Sequence, residues 1–369
     1  MPRLFGLSVR QILVGGIAAT ALFLVGATIF VLSGLYNVSA SREHLDVTTW
    51  LLEVVRRQSI RTHSLAVGTP PPVSEGALRL GAVHYELGCA GCHGAPGRPP
   101  SKIQDAMIPS PPSFAEAASA WTPRQLYWIV LNGQKYTGMP SWLAPSRRDE
   151  VWPMVAFLTR MPDLDAAAYR RMAGPAEGRP AARPALGAQT VGLQVCARCH
   201  GAPGEDPPIA IVPQLSGQNQ AYLLRSLQDY AEDRRPSGYM QLIAGMLDEL
   251  EMRELAAAYA GAPAPRRPAP APATDAGILR RGEIMARRGL PEKRVPACLA
   301  CHLQAHNPAF PKILGLTADY IEQQLRLFRD GTRDTPTYGS IMRAVAQRLS
   351  DDDMAAVGAY LSAMPGRTP

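Results

Sequence analysis

The sequence predicts an all-α protein in which one long apolar helix precedes three small helical units. Three observations lead there. The pattern Cys-x-x-Cys-His occurs three times, as "CAGCH" from 89, "CARCH" from 196 and "CLACH" from 298. β-branched and aromatic residues never gather into the alternating runs that a half-buried strand needs. Each motif is also followed by a similar succession of helical patterns, as a repeated unit requires. At 369 residues the chain exceeds one ordinary core, and three motifs favour three domains.

The first element is the uncharged, mostly apolar stretch 12–35, whose 24 residues would span about 36 Å as a helix and cross a bilayer. Arg3 and Arg10 precede it, as a cytoplasmic end requires. Val38-Ser39-Ala40 offers a cleavage site, but a signal-peptide core runs to only about 7–15 residues, so 1–39 reads as an uncleaved anchor. The juxtamembrane stretch 40–75 carries a candidate helix at 41–67, with Leu45, Trp50, Leu51, Val54 and Val55 near helical spacing. It would lie on the membrane surface or pack on the first unit, and His44 and His63 read as exposed polar positions.

The soluble units are expected at 76–173, 186–261 and 274–369, separated by Pro- and Ala-rich linkers at 174–185 and 262–273. Each unit has a middle helix, "TPRQLYWIVLNG", "QNQAYLLRSLQDY" or "TADYIEQQLRLFRDG", and a closing helix, "RRDEVWPMVAFLTRMP", "DELEMRELAAAYAG" or "DDDMAAVGAYLSAMP". Thr122 with Pro123 starts the first middle helix, while Ser146-x-x-Asp149 and Ser350-x-x-Asp353 read as capping boxes for two closing helices. The second and third units are the same unit repeated. Cys196 to Cys298 and Met240 to Met342 are offsets of 102, and Pro213 to Pro311, Gly217 to Gly315 and Tyr222 to Tyr320 are offsets of 98.

The net charge of +7 is dispersed, with no basic stripe interleaved with aromatics, which argues against nucleic acid as a partner. The three units carry +3, −4 and +3, a pattern equally compatible with steering of partners and with ordinary surface variation.

All six cysteines, Cys89, Cys92, Cys196, Cys199, Cys298 and Cys301, lie in the motifs. Two thiols three residues apart on one turn can add to the two vinyl groups of a haem, and the next residue's imidazole then lies under the iron. His93, His200 and His302 are these proximal ligands. A zinc site needs a second ligand pair for each motif, and a thioredoxin-like dithiol needs a βαβ setting, which helical units lack.

A second axial ligand is expected in each unit. Met240 and Met342 both lie 40 residues after their histidines, in the matching stretches "MQLIAGML" and "MRAVAQRL". In the first unit Met139, in the Gly- and Pro-bounded "YTGMPSW", is the candidate and Met107 the alternative. Met246, Met252, Met354 and Met364 read as packing residues. His84 reads as structural and His306 as a solvated position. Met/His ligation raises the potential and closes the iron to exogenous molecules, which suits electron transfer. Proximal imidazoles usually donate their other N–H to a backbone carbonyl, and Pro112, Pro213 and Pro311 stand at similar stations to accept it.

On "CAGCHG", "CARCHG" and "CLACH", each with a downstream methionine and an aromatic-bearing closing helix, residues 76–369 resemble the class I c-type cytochrome superfamily. The second and third units resemble the paired lobes of the two-lobed dihaem cytochromes c. That likeness rests on "CARCHGAPG", the Pro-x-Leu-x-Gly turn at 213–217 and "YLLRSLQDYAEDRR". The first unit is similar to single-haem modules of bacterial respiratory cytochromes.

The resemblance implies three covalently attached haem c groups, maturation on the outer face of the bacterial inner membrane, and a periplasmic electron carrier. One departure is that the third motif lacks the Gly-Ala-Pro-Gly that follows the others. The expected donor is a quinol-oxidising complex or periplasmic dehydrogenase, and the expected acceptor a terminal oxidase or reductase. The rival readings are the haem subunit of a periplasmic dehydrogenase, a peroxidase-like enzyme with one open iron, and a redox sensor.

Overall fold

The computed structural model describes residues 3–4, 7–174, 192–209, 211–265, 275–303, 307–334 and 338–365. The two Pro-rich linkers lie outside these residues except at Gly174 and 262–265, and so does His306. Among the described residues extended pairing is confined to Arg3–Leu4 with Leu7–Ser8 and two isolated bridges, so the chain is essentially all-α.

Helix α1, Val9–Leu32, carries the apolar stretch and begins on a capping box of Ser8 and Gln11. The hydroxyls of Thr20 and Thr28 donate to the carbonyls of Gly16 and Leu24, which satisfies both polar groups within the helix. Over Arg10–Leu32 the mean hydropathy is 2.3 and none of the helix is buried among the described residues; it is long and apolar enough to cross a membrane. It ends at Leu32, short of the predicted 35. The chain turns at Gly34, whose φ of +69° is open to glycine at little cost.

Helix α2, Asp46–His63, packs its C-terminal half on the first unit. Ile60 is buried, the His63 ring stacks on Trp128 at 5.6 Å, and the Arg56 guanidinium lies 5.4 Å from the Trp121 ring. Arg124 donates to the carbonyls of Leu65 and Val67 just beyond α2. His63 is thus held by an aromatic partner, while His44 bonds the Tyr36 hydroxyl at 2.7 Å. The N-terminal half keeps Val47, Trp50, Leu51 and Val55 exposed.

The first unit comprises α3 (Glu75–His84), α4 (Ala90–His93), α5 (Lys102–Asp105), α6 (Phe114–Ala120), α7 (Pro123–Asn132), α8 (Val151–Arg160) and α9 (Ala166–Ala173). The second holds α10 (Leu193–His200), α11 (Gln220–Ala231), α12 (Gly238–Ala244) and α13 (Glu249–Gly261). The third holds α14 (Ala276–Arg288), α15 (Cys298–His302), α16 (Ala318–Arg329), α17 (Gly339–Ala346) and α18 (Asp351–Ala363).

In the first and third units the leading helix crosses the closing one, α3 over α8 and α14 over α18. Both crossings depend on glycine. A Cβ at Gly81 would lie 2.3 Å from the Pro153 carbonyl oxygen, and one at Gly282 would lie 2.1 Å from that of Ala356. Phe157, Met154 and Tyr85 fill the first crossing, and Met285, Met354 and Leu361 the third. Met252 and Met354 are buried packing residues.

Thr122 and Pro123 start α7 and Ser350 with Asp353 caps α18, as the patterns predict. Ser146 does not cap α8. Asp149 is drawn instead into a bidentate pair with Arg147, and the chain enters α8 through a 3₁₀ turn, Arg148–Glu150. Helix α9 is an element the sequence reading lacked; it folds back on α3, where the buried Tyr169 donates to Glu86 at 2.6 Å.

The units share surfaces. Leu80 of α3 joins Ile209 and Val212 of the second unit in one cluster, and Leu87 packs against Val195, Leu247 and Leu255. Between the second and third units the Gln218 side-chain amide donates to the Lys312 carbonyl and accepts from the Lys312 amide, and the Asn219 side chain donates to the Phe310 carbonyl.

Candidate haem sites

Each Cys-x-x-Cys-His motif ends a helical turn, so its two sulfurs and its imidazole fall on one side of the local chain. In the first unit α3 runs into the motif through a π turn, Tyr85–Cys89. The motif helices of the first two units stop at Gly94 and Gly201, whose φ values of +68° and +73° suit glycine. Their carbonyls accept from the buried Tyr85 and Tyr259 hydroxyls at 2.8 and 2.7 Å. In the third, Leu303 leaves the helix in an extended conformation, the local change expected from the missing Gly-Ala-Pro-Gly.

The imidazoles share one geometry. Nδ1 of His93, His200 and His302 lies 2.8 Å from the carbonyl oxygens of Pro112, Pro213 and Pro311 respectively. A carbonyl can only accept, so Nδ1 carries the proton and the lone pair stays on Nε2, the state a metal ligand requires. Burial pushes His200 and His302 below the usual histidine range, which keeps them neutral. The three prolines singled out by position in the sequence thus supply the carbonyls.

None of the six cysteines is in a disulfide. Burial pushes Cys89 and Cys199 up to about 12 and Cys196 and Cys298 to about 11, so they remain protonated at neutral pH. A dithiol redox centre needs the opposite shift. Cys298 and Met342 pack against the same cluster in the third unit. Met240 lies on α12 and Met342 on α17, both half-buried. Met139 lies in a loop whose carbonyl accepts from Gln134, and the methyl of Met107 approaches the neighbouring Gly138. Both methionine candidates of the first unit therefore come to one place.

Two residues of consequence escaped the sequence reading. Arg235 is 6% exposed, and among the described residues its guanidinium meets the hydroxyls of Tyr222, Ser226 and Tyr320 at 3.1–3.4 Å, the Gln324 side chain at 3.5 Å and the face of the Tyr230 ring at 4.7 Å, with no Asp or Glu paired to it. Arg333 donates to Tyr222 at 3.1 Å and to Gln324. Burial alone would raise the Tyr222 phenol, yet the two guanidiniums hold it well below its usual range. A buried cation without a carboxylate partner is costly, and an anionic group bound between the second and third units would offset that cost. The signal was present: Arg235 to Arg333 is the same 98-residue offset as Tyr222 to Tyr320. In the first unit a cavity of about 340 Å³ beside Pro112 is lined by Arg56, Arg57 and Arg61 of α2 together with Glu116 and Trp121, and Arg56 and Arg57 are already paired with Glu53.

Where the first and second units meet, Glu150 is 5% exposed. It accepts from Ser237 Oγ at 2.7 Å and the Gly238 amide at 2.6 Å and pairs with Arg147 at 2.9 Å. Burial pushes its carboxyl up, opposed by Arg147. Beside it His84 touches Trp142 and Tyr239 and is lowered to about 4 by burial, so it is neutral and structural.

Residues 76–158 match the family described as "Cytochrome C oxidase, cbb3-type, subunit III". The chain is 36% identical over 197 residues to cytochrome c4 of Thiocapsa roseopersicina, covering 51% of this chain and 98% of that protein. It is 35% identical over 173 residues to the thiosulfate dehydrogenase electron acceptor of Thiomonas intermedia, covering 46% of this chain and 78% of the relative. Among solved structures, reduced recombinant cytochrome c4 from Pseudomonas stutzeri is 30% identical, with a TM-score of 0.42, over 47% of this chain and 94% of that one. The identity to the Thiocapsa and Thiomonas proteins over most of their length, with the repeated thiol–imidazole–carbonyl geometry, leads to one conclusion: the chain belongs to the class I c-type cytochromes, as a member of the cytochrome c4 family, and is a haem electron carrier.

Proposed function

We propose that this chain is a trihaem cytochrome c, anchored by α1 in the bacterial inner membrane with units 76–173, 186–261 and 274–369 in the periplasm. It would relay electrons from a quinol-oxidising complex or periplasmic dehydrogenase to a terminal oxidase or reductase. The observation that carries this reading is the threefold recurrence of paired thiols, an imidazole and a proline carbonyl 2.8 Å from Nδ1. Cys89 and Cys92, Cys196 and Cys199, and Cys298 and Cys301 would hold the porphyrins. His93 with Met139, His200 with Met240 and His302 with Met342 would hold the irons. The group supplies one-electron chemistry at iron; the chain supplies attachment, ligands and insulation.

Arg235 and Arg333 would neutralise haem carboxylates between the second and third units. The exposed Trp50, Leu51 and Val55 of α2 suit a membrane interface just beyond α1. Two relatives are named thiosulfate dehydrogenase electron acceptor, which favours a dehydrogenase as the donor over a role for this chain in substrate chemistry.

Acid-acetone extraction followed by mass spectrometry tests the core of the reading. Colour retained on the polypeptide, with a mass increment of three haems, is expected; unmodified thiols in any motif would remove that unit from the relay.

A further inference from the structure

The sequence places Trp142 three residues after Met139 and Tyr239 immediately before Met240. The fold brings these two aromatics into contact. Their ring centroids are 5.4 Å apart with planes at 90°, and His84 closes a triad at 4.9 Å from Trp142 and 4.7 Å from Tyr239. Trp142 also lies against the backbone before Met240, where a Cβ on Gly238 would fall 2.2 Å from its Nε1.

The contact is clamped on both sides. In the first unit the Trp142 amide donates to the Leu131 carbonyl, and the Gln134 amide to that of Met139, pinning the methionine loop to the end of α7. In the second, every residue from Pro236 to Tyr239 is gripped from across the interface. Arg147 donates to the Pro236 carbonyl, Ser237 and Gly238 donate to the Glu150 carboxylate, and the Tyr239 hydroxyl donates to the Glu150 carbonyl at 2.5 Å. Ser237 in turn caps α12 by accepting from the Met240 amide. The repeat does not reproduce this arrangement in the third unit. Ile341 stands where Tyr239 stands and is 53% exposed.

We propose that the Trp142–Tyr239 contact, held shut by Glu150, is the junction through which the first and second units exchange electrons. The inference rests on Met139 and Met240 being iron ligands. Two ligand-bearing segments would then be joined ring to ring with no solvent gap, and electron tunnelling weakens steeply across any through-space gap. One electron leaves reduced iron on one side and arrives at oxidised iron on the other; the rings undergo no net oxidation, no proton moves and no co-reactant is needed.

The test uses the full haem-loaded chain with Trp142→Leu, Glu150→Ala and Trp142→Phe. A flash of photoreduction is followed by the rate at which electrons redistribute between the first two haems, with each haem's potential titrated so that driving force is known. Because Trp142→Leu and Glu150→Ala each open a through-space gap between the two segments, both should slow redistribution severalfold. Trp142→Phe, which keeps a ring against Tyr239, should recover most of the rate. Unchanged redistribution in both Trp142→Leu and Glu150→Ala, at full haem content and matched driving force, would overturn the junction. The near-infrared methionine-to-iron band in Met139→Leu and Met240→Leu judges the ligand assignment separately. Survival of both bands would sink that assignment, whatever the Trp142 rates show.

Discussion

Asp353 is the side chain whose loss should be felt most clearly in the third unit. It is fully buried at the start of α18, where one carboxylate oxygen accepts from the Ser350 amide at 3.0 Å and from Lys293, and the other accepts from Arg281 through two nitrogens. One residue therefore ties the closing helix to α14 and to the turn before the motif. Replacement by alanine removes the capping acceptor, worth about 1 kcal/mol. It also removes two ion pairs whose cationic partners are 51% and 35% exposed, and solvent screening limits each to about 0.5–1 kcal/mol. The sum is about 2–3 kcal/mol. It stays below the roughly 3–5 kcal/mol for breaking a fully buried pair, because Arg281 and Lys293 can rehydrate.

The same contacts give the effect a pH signature. Burial alone would raise the Asp353 carboxyl, but Lys293, the Ser350 amide and Arg281 together hold it far below the usual carboxylate range. A carboxyl depressed in the folded state contributes stability that is complete above its unfolded pKa of about 4 and fades as pH falls toward the folded value. Hydrogen exchange of the α18 amides in wild type and Asp353→Ala reads the difference locally. It should be constant between about pH 5 and 7 and shrink below about pH 4. A difference under about 0.5 kcal/mol at neutral pH, or one that grows on acidification, would refute the reasoning.

Three further outcomes follow from the packing and the site. Gly282→Ala forces a methyl onto the Ala356 carbonyl and should cost about 1–3 kcal/mol, seen as a lower midpoint for the third unit in chemical denaturation. Tyr259→Phe leaves the buried Gly201 carbonyl without its hydroxyl donor and should cost about 1–3 kcal/mol in the second unit, by the same measurement. Arg235→Leu removes a buried positive charge between the second and third units, so potentiometric titration should show both of their potentials lowered, with the first unit's unchanged.

The haem chemistry was legible because it is local. A cysteine pair and the following histidine need one helical turn, and the proline carbonyls could be placed because they recur at similar stations in each unit. The capping of α18 was readable for the same reason, since Ser350 and Asp353 meet within one turn. Ser146 misled because its expected partner Asp149 lies within reach of Arg147, and a bidentate guanidinium outcompetes the serine's backbone amide for that carboxylate. Arg235 and Arg333 passed unnoticed among many surface arginines. Only burial separates a solvated guanidinium from one held among tyrosine hydroxyls.

Sequence alone determined the all-α class, the repeat of the second unit in the third, the three Cys-x-x-Cys-His motifs and the apolar first helix. Each follows from spacing along a chain whose geometry is set within a few residues. The tertiary structure decided which surfaces of the units meet: Glu150 reaching Ser237 across 87 positions, Trp142 meeting Tyr239, and Arg235 buried against Tyr320. No periodicity encodes such contacts. They arise when folded units bury apolar faces together and their polar groups must find partners at the seam.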